Sequence, residues 1–274
     1  MMSSTMSEHA DQPAGTYIYC VTRTLSGGAG KPDGQALDVP GIGGKPVRAI
    51  EYSDLAAVVS DSTSDSYDVT RENLTAHEQV VERVMNNADV LPVSFGTVAT
   101  DDQTVQQQLL SAAADDLHRA LDVVHERVEL GVKIIWEKDR LFADLASEDP
   151  TIQALLDQIA GSTPEETYDE RTQLGELISN GIDAKRDQDA AAILNKLQPL
   201  AVDVRVNATY ADLMVLNASF LVDKASIPAF EAAVDALRNE QAGRFIVQYT
   251  GPLPPYNFVT IAIGGEGQSV EVAR

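Results

Sequence analysis

Short apolar runs of strand length alternate with longer stretches of helical period along this chain, and each change of period marks an element. Tyr17–Thr22 is a β-rich run and predicts a strand. Leu25–Pro46 is crowded with Gly and Pro and predicts a long loop. Val47–Tyr52 and Leu55–Ser60 predict two strands with Ser53-Asp54 as the turn between them, and Asp61–Asp68 predicts a solvated Ser/Asp loop. After Thr70, a suitable N-cap, the positions Leu74, His77, Val80, Val81, Val84 and Met85 fall on one helical face, and Asn86-Asn87 ends the helix. Val90–Val98 reads as a buried strand with Pro92 near its start and Gly96 at a bulge or close backbone approach. Asp101-Asp102 opens a helix to about Glu126, and Glu129–Trp136 is a further strand.

From Asp139 to Leu200 the period is helical throughout, with a helix-start signature at Thr163-Pro164-Glu165-Glu166. Val202–Ala208 and Met214–Val222 predict strands. Ser226-Ile227-Pro228 leads a helix from Ala229 to about Glu240, and Phe245–Tyr249 and Phe258–Ile263 predict two last strands. Between those two lies Gly251-Pro252-Leu253-Pro254-Pro255-Tyr256-Asn257. Pro252, Pro254 and Pro255 fix φ and remove backbone donors, so this stretch predicts a rigid corner bearing Tyr256 and Phe258.

The pattern predicts an α+β protein of two α+β domains, the C-terminal one ferredoxin-like, joined by a helical connector. The expected boundaries are a disordered segment at 1–14, an N-terminal domain at 15–138, the connector at 139–200 and the ferredoxin-like domain at 201–274.

With 44% hydrophobic residues, the 274-residue chain has material for a real core. Its 20 Lys and Arg stand against 42 Asp and Glu, a formal net charge of −22. Such a surface repels nucleic-acid phosphates and anionic membranes, so neither is an expected partner. The lone cysteine, Cys20, fits a reducing compartment and a buried strand position. Met1–Ala14 is polar, and no run reaches the length of a membrane span. These features together predict a soluble cytoplasmic protein.

The chain carries little that points to catalysis. Gly27-Gly28-Ala29-Gly30-Lys31 and Gly41-Ile42-Gly43-Gly44-Lys45 lack the Ser or Thr after lysine and the helix of a phosphate loop. His118 and His125 are two helical turns apart, about 10 Å, too far to share one metal unaided. No nucleophile elbow is present. His77 beside Glu78 is the one candidate acid–base pair, and a semi-buried structural histidine is its plain alternative. No catalytic, cofactor-binding or metal-binding residue and no cofactor is assigned.

Three stretches together resemble the gas vesicle accessory family GvpF/GvpL. They are Tyr17–Val21 with Asp54–Ser60, then Leu91–Val98 with Glu129–Lys133 downstream, then Gly251–Val259. The family usually has Trp at Leu253, Ser at Asn257 and Arg at Ser94. The acidity suggests a haloarchaeal, GvpL-like member. The resemblance implies a non-enzymatic role in assembling gas vesicles, the hollow protein shells that make aquatic microbes buoyant. It also implies binding to the shell protein GvpA or other Gvp accessory proteins, with a location in the cytoplasm or at the gas vesicle. The candidate contact residues are Pro252, Pro254, Pro255, Tyr256 and Phe258. Two other readings stay open: a small-molecule-sensing α+β protein, or an enzyme using His77 and Glu78.

Self-repulsion from a charge of −22 weakens the compact state in dilute salt and is screened in strong salt. The melting temperature is therefore expected to climb steadily as KCl is raised from millimolar to molar. A flat profile in differential scanning fluorimetry would remove the halophilic reading.

Overall fold

In a computed structural model, which describes residues 14–24, 37–262 and 269–272, the chain builds two compact units. The first contains a sheet of β1 (Gly15–Arg23), β2 (Leu37–Pro40), β3 (Pro46–Tyr52), β4 (Leu55–Ser62), β5 (Val90–Pro92) and β6 (Val98–Ala99). Its order is β2-β3-β4-β1-β5, with β6 also paired to β1. The pairings are antiparallel. β1 is central, and Tyr17 to Val21 are all fully buried.

The register of β1 against β4 slips between Ile18 and Cys20. Tyr17 and Tyr19 share one face by alternation, and the bulge turns Cys20 to that face as well, where all three pack with Val80, Val81 and Val84 of helix α1 (Arg71–Met85). Thr70 caps α1 as expected, its hydroxyl accepting the Asn73 amide at 3.2 Å. The other face of the sheet offers Ile18, Val21, Val59 and Leu91. These meet Val105, Leu109 and Leu110 of the π-helix Val105–Ser111, which continues α2 (Asp102–Thr104), and Leu117 and Leu121 of α3 (Ala114–Val124).

Three local expectations for this unit differ from what forms. The stretch expected as a long loop contains β2 and a 3-10 turn at Ile42–Gly44, and its part from 25 to 36 lies outside the described residues. The helix expected from 101 to 126 widens into a π-helix, which lets the adjacent Leu109 and Leu110 both face the sheet. The strand expected from Val90 to Val98 breaks into β5 and β6 around a turn at Ser94–Thr97. Gly96 there has φ +84°, a left-handed conformation suited to glycine.

The second unit contains a four-stranded sheet of β7 (Arg127–Trp136), β8 (Asp203–Val206), β9 (Met214–Asp223) and β10 (Phe245–Leu253), in the order β10-β7-β9-β8. Helices α4 (Lys138–Glu148), α5 (Pro150–Ile159) and α6 (Tyr168–Leu197) separate its first two strands, and α7 (Ile227–Glu240) separates its last two. Counted within the unit, the strand order is 4-1-3-2 with a βαββαβ sequence of elements, which is the ferredoxin-like arrangement. Phe220 of β9 stacks on Phe230 of α7 with ring centres 5.0 Å apart. A polar clamp ties α6 to the sheet: Asp189 accepts the Trp136 indole N–H at 2.9 Å and the Arg244 guanidinium at 2.7 and 2.9 Å.

Contacts divide the chain into 1–128 plus 253–274, and 129–252. The boundaries expected from the pattern were 15–138, 139–200 and 201–274. The difference has two sources. β7, assigned by position to the first domain, is the first strand of the ferredoxin-like sheet, and the helices expected as a connector are that unit's first crossover. The last segment then belongs with the first unit. β11 (Val259–Ala262) pairs antiparallel with β12 (Ser269–Val272), and Val259 and Ile261 join the cluster of Ile18, Leu91 and Leu121.

Candidate functional site

The proline corner begins inside β10, which tolerates Pro252 because it is an edge strand. The Gly251–Pro252 peptide is cis, and Gly251 has φ +148°. A Cβ there would stand 2.7 Å from Leu130 Cδ2 and 3.2 Å from the Glu129 carbonyl oxygen, so only glycine lets the edge strand approach β7 this closely. Beyond it the chain turns tightly. The Pro254 carbonyl accepts the Tyr256 amide at 2.8 Å, and the Pro255 carbonyl accepts the amides of Phe258 and Val259 at 3.1 and 3.2 Å.

The five candidate contact residues separate by exposure. Pro254, Pro255 and Phe258 are buried, while Pro252 is exposed and Tyr256 is 37% exposed. Burial of its hydroxyl end raises the Tyr256 phenol above its ordinary pKa, with the charges of Cys20, Glu78, Tyr17 and Glu82 adding to the effect. Tyr256 thus presents a ring edge to solvent while its polar end is shielded against β1 and α1. Of the five, Pro252 and Tyr256 reach solvent, while Pro254, Pro255 and Phe258 do not.

His77 and Glu78 do not converge on a cleft. His77 is 2% exposed, and its Nδ1 lies 2.9 Å from the Tyr17 hydroxyl, which also accepts the Gly96 amide at 2.9 Å. The hydroxyl can donate to or accept from Nδ1, so this contact suits either tautomer of the neutral ring. Burial lowers the imidazole pKa from 6.5 to about 4. Tyr67 and Phe95 stack edge-on against Tyr17, and Phe95 also meets His77, closing an aromatic cluster around the pair. Cys20 is fully buried beside it, and desolvation pushes its thiol pKa far up, which makes it a poor nucleophile.

Other polar groupings are structural in their geometry. Arg48 bridges Asp61 and Asp102, each at 2.9 Å, and Asp102 also accepts the Thr16 hydroxyl at 2.7 Å. These side chains line an open cavity of about 480 Å³ together with Asp101, whose carboxylate caps α2 through the Thr104 amide at 2.7 Å. Asp89, His125 and Glu126 place three possible metal ligands within 4.8 Å of one another. Asp89 is already engaged there, with the His125 ring at 2.7 Å and the Glu126 amide at 3.1 Å, and so ties off the end of α3. His118 pairs instead with Asp54 at 3.0 Å, so the two helix histidines serve separate contacts. The Arg48 and Tyr17–His77 networks join residues tens of positions apart, and no local motif announces them.

The family model of gas vesicle synthesis protein GvpL/GvpF matches residues 15–260. The chain belongs to the GvpL/GvpF family. It is 32% identical over 247 residues to gas vesicle protein F of a Streptomyces strain, covering 89% of this chain and 99% of that protein. Gas vesicle protein F1 of Halobacterium salinarum is 30% identical, covering 85% and 90%. Gas vesicle protein L of the same Streptomyces strain is 29% identical, covering 94% and 97%. Relatives of both the F and the L name are thus within reach. The crystal structures of GvpF from Anabaena and from Microcystis aeruginosa superpose with TM-scores of 0.76 and 0.72. Each is 23% identical and covers 89% of this chain, with 97% and 98% of the respective structure. They share the fold. Membership places the protein among those of gas vesicle formation, and among the described residues no helix is long and apolar enough to cross a membrane.

The buried, neutral His77 makes stability depend on pH. Its folded pKa lies below the free value, so the unfolded chain takes up the proton first. Stability present above pH 6.5 is lost as pH falls toward about 4, by about 3 kcal/mol. Urea unfolding at pH 7 and pH 4 is expected to show the wild type losing that much more than His77→Gln. Equal losses would mean the ring is not held neutral.

Proposed function

We propose that this GvpL/GvpF-family protein is a non-enzymatic assembly factor that binds the shell protein GvpA or other Gvp accessory proteins in the cytoplasm or at the growing vesicle. The contact is made through the exposed part of the proline corner. The observation that carries this reading is the division of labour within the corner. Phe258, Pro254 and Pro255 are buried and fix the turn, while Pro252 and Tyr256 stay accessible on a backbone that has lost most of its freedom. An aromatic held rigidly at a surface binds at low entropic cost. The shell subunit must be kept from aggregating through its apolar surfaces before assembly, and a soluble partner that covers such a surface serves that need. Catalysis has no part in this reading, and His77 is committed to the Tyr17 network.

Tyr256→Ala removes the accessible ring without touching the buried anchor. It is expected to leave the melting temperature within a few degrees of wild type and to reduce co-purification of co-expressed GvpA and accessory Gvp proteins by about tenfold. Undiminished capture by a folded Tyr256→Ala protein would place the contact elsewhere.

A further inference from the structure

The ferredoxin-like sheet has two edges, and they are built differently. β10 carries Pro252 next to its last residue, and that proline has no amide proton to offer. β8 carries no proline; Val206 at its end is 61% exposed, and Val202 just before it 49%. β8 pairs with β9 in the register Asp203 to Leu221, Val204 to Phe220, Arg205 to Ser219 and Val206 to Ala218. The Asn207 amide donates inward to the Asn217 carbonyl at 2.7 Å. Alternation along an antiparallel strand then turns the amides and carbonyls of Val204 and Val206 outward, away from β9. The Val204 amide donates to its neighbour, the Asp203 carboxylate, at 2.8 Å, as an outward-facing edge amide does when no strand lies beside it.

The sequence of this edge is Val202-Asp203-Val204-Arg205-Val206, and it complements itself when reversed. If a second β8 is laid antiparallel with Val204 opposite Val204, Asp203 faces Arg205 of the other copy and Arg205 faces Asp203. On the opposite side of the strands Val204 meets Val204, with the exposed Val206 of each copy flanking it. Both faces of the pair are matched: valines meet valines, and opposite charges meet twice. Within one chain Asp203 and Arg205 already sit 2.9 Å apart, so the pairing exchanges one contact along each of the two strands for two across the two-fold axis. Val202 keeps its inward bond to the Leu221 carbonyl at 2.8 Å and offers the partner only its own carbonyl.

We propose that β8 is a self-recognition edge, through which two copies of this chain join in a two-fold antiparallel pair and make one eight-stranded sheet from two ferredoxin-like units. A two-fold axis through Val204 follows from the charge order, because no other antiparallel register sets both Asp203–Arg205 pairs opposite each other. The edge is short, so the dimer is weak and forms at high protein concentration. Two chains of −22 repel each other in dilute buffer, whereas the cross-strand ion pairs are in contact, so dimerisation strengthens as salt screens the long-range term. A dimer also presents two partner-binding surfaces at once and so binds a repetitive assembly with higher avidity.

The test is sedimentation velocity of the full chain in molar KCl, from micromolar to near-millimolar concentration. The wild type is expected to shift from monomer to dimer over that range. Asp203→Arg sets like charges opposite each other at both ends of the pair and is expected to raise the dissociation constant about tenfold or more. Asp203→Arg with Arg205→Asp restores opposite charges and is expected to recover the dimer. Arg205 is only 24% exposed, so the double variant is accompanied by Val206→Lys, a change at a well-exposed edge position that is expected to block pairing without disturbing the fold. A wild type that stays monomeric throughout, or a dimer indifferent to both Asp203→Arg and Val206→Lys, overturns the proposal.

Discussion

The first unit's core is completed by chain that has already built a second unit. Val259 and Ile261, each almost wholly buried, pack with Ile18, Leu91 and Leu121, residues that precede them by well over a hundred positions. The ferredoxin-like unit is therefore an insertion between two parts of one hydrophobic cluster. Everything about the proline corner follows from that constraint. The chain must leave an edge strand, turn at once and deliver Phe258 and Val259 to a core. Prolines restrict φ on the way, so little conformational freedom is left to lose when the segment docks. The two hydrogen bonds received by the Pro255 carbonyl then fix the direction of delivery.

Each unit meets its own difficulty with buried polar groups in a characteristic way. In the first, strand alternation sets Tyr17 and Tyr19 of β1 on the face covered by α1, and both hydroxyls need partners once buried. Tyr17 finds His77 and the Gly96 amide; Tyr19 finds Ser60 at 2.8 Å and the Ile42 amide at 2.9 Å. These bonds reach into the loops at Ile42 and Gly96 and hold them to the sheet. A Cβ on Gly41 would clash with the Tyr19 hydroxyl, so that glycine serves close packing, while Gly43 and Gly44 take left-handed conformations in the turn. In the second unit, Asp189 holds an indole and a guanidinium together; without that carboxylate the buried Trp136 N–H loses its acceptor, while Arg244 keeps Gln241 and Asp144 nearby.

The fold class was legible because periodicity is local: strands β1, β3, β4, β7 and β9 and helices α1 and α7 all show in their own residues. What was not legible depends on contacts far apart in the chain. Nothing in Glu129–Trp136 says which sheet it joins; that is decided by β9 and β10, more than seventy residues later. The π-helical turn at Val105–Ser111 differs from an α-helix by a single residue in register, too small a change to alter the apolar period visibly. Thr163 and Glu166 do make the reciprocal bonds of a capping box, at 3.1 and 3.4 Å to the amides, but the regular helix begins only at Tyr168. At the corner, the prolines and aromatics were visible as a rigid turn, whereas the separation of Phe258 as anchor from Tyr256 as surface depends on packing against residues near the other end of the chain.

The dependence of the first unit on its returning segment can be read by hydrogen exchange with mass spectrometry on Phe258→Ala/Ile261→Ala. If Val259 and Ile261 close the first core, peptides covering β1 and β5 lose protection by orders of magnitude while those covering β7 and β9 keep theirs. If protection in β1 and β5 is unchanged, or falls equally in both sheets, the returning segment is not what holds the first unit together.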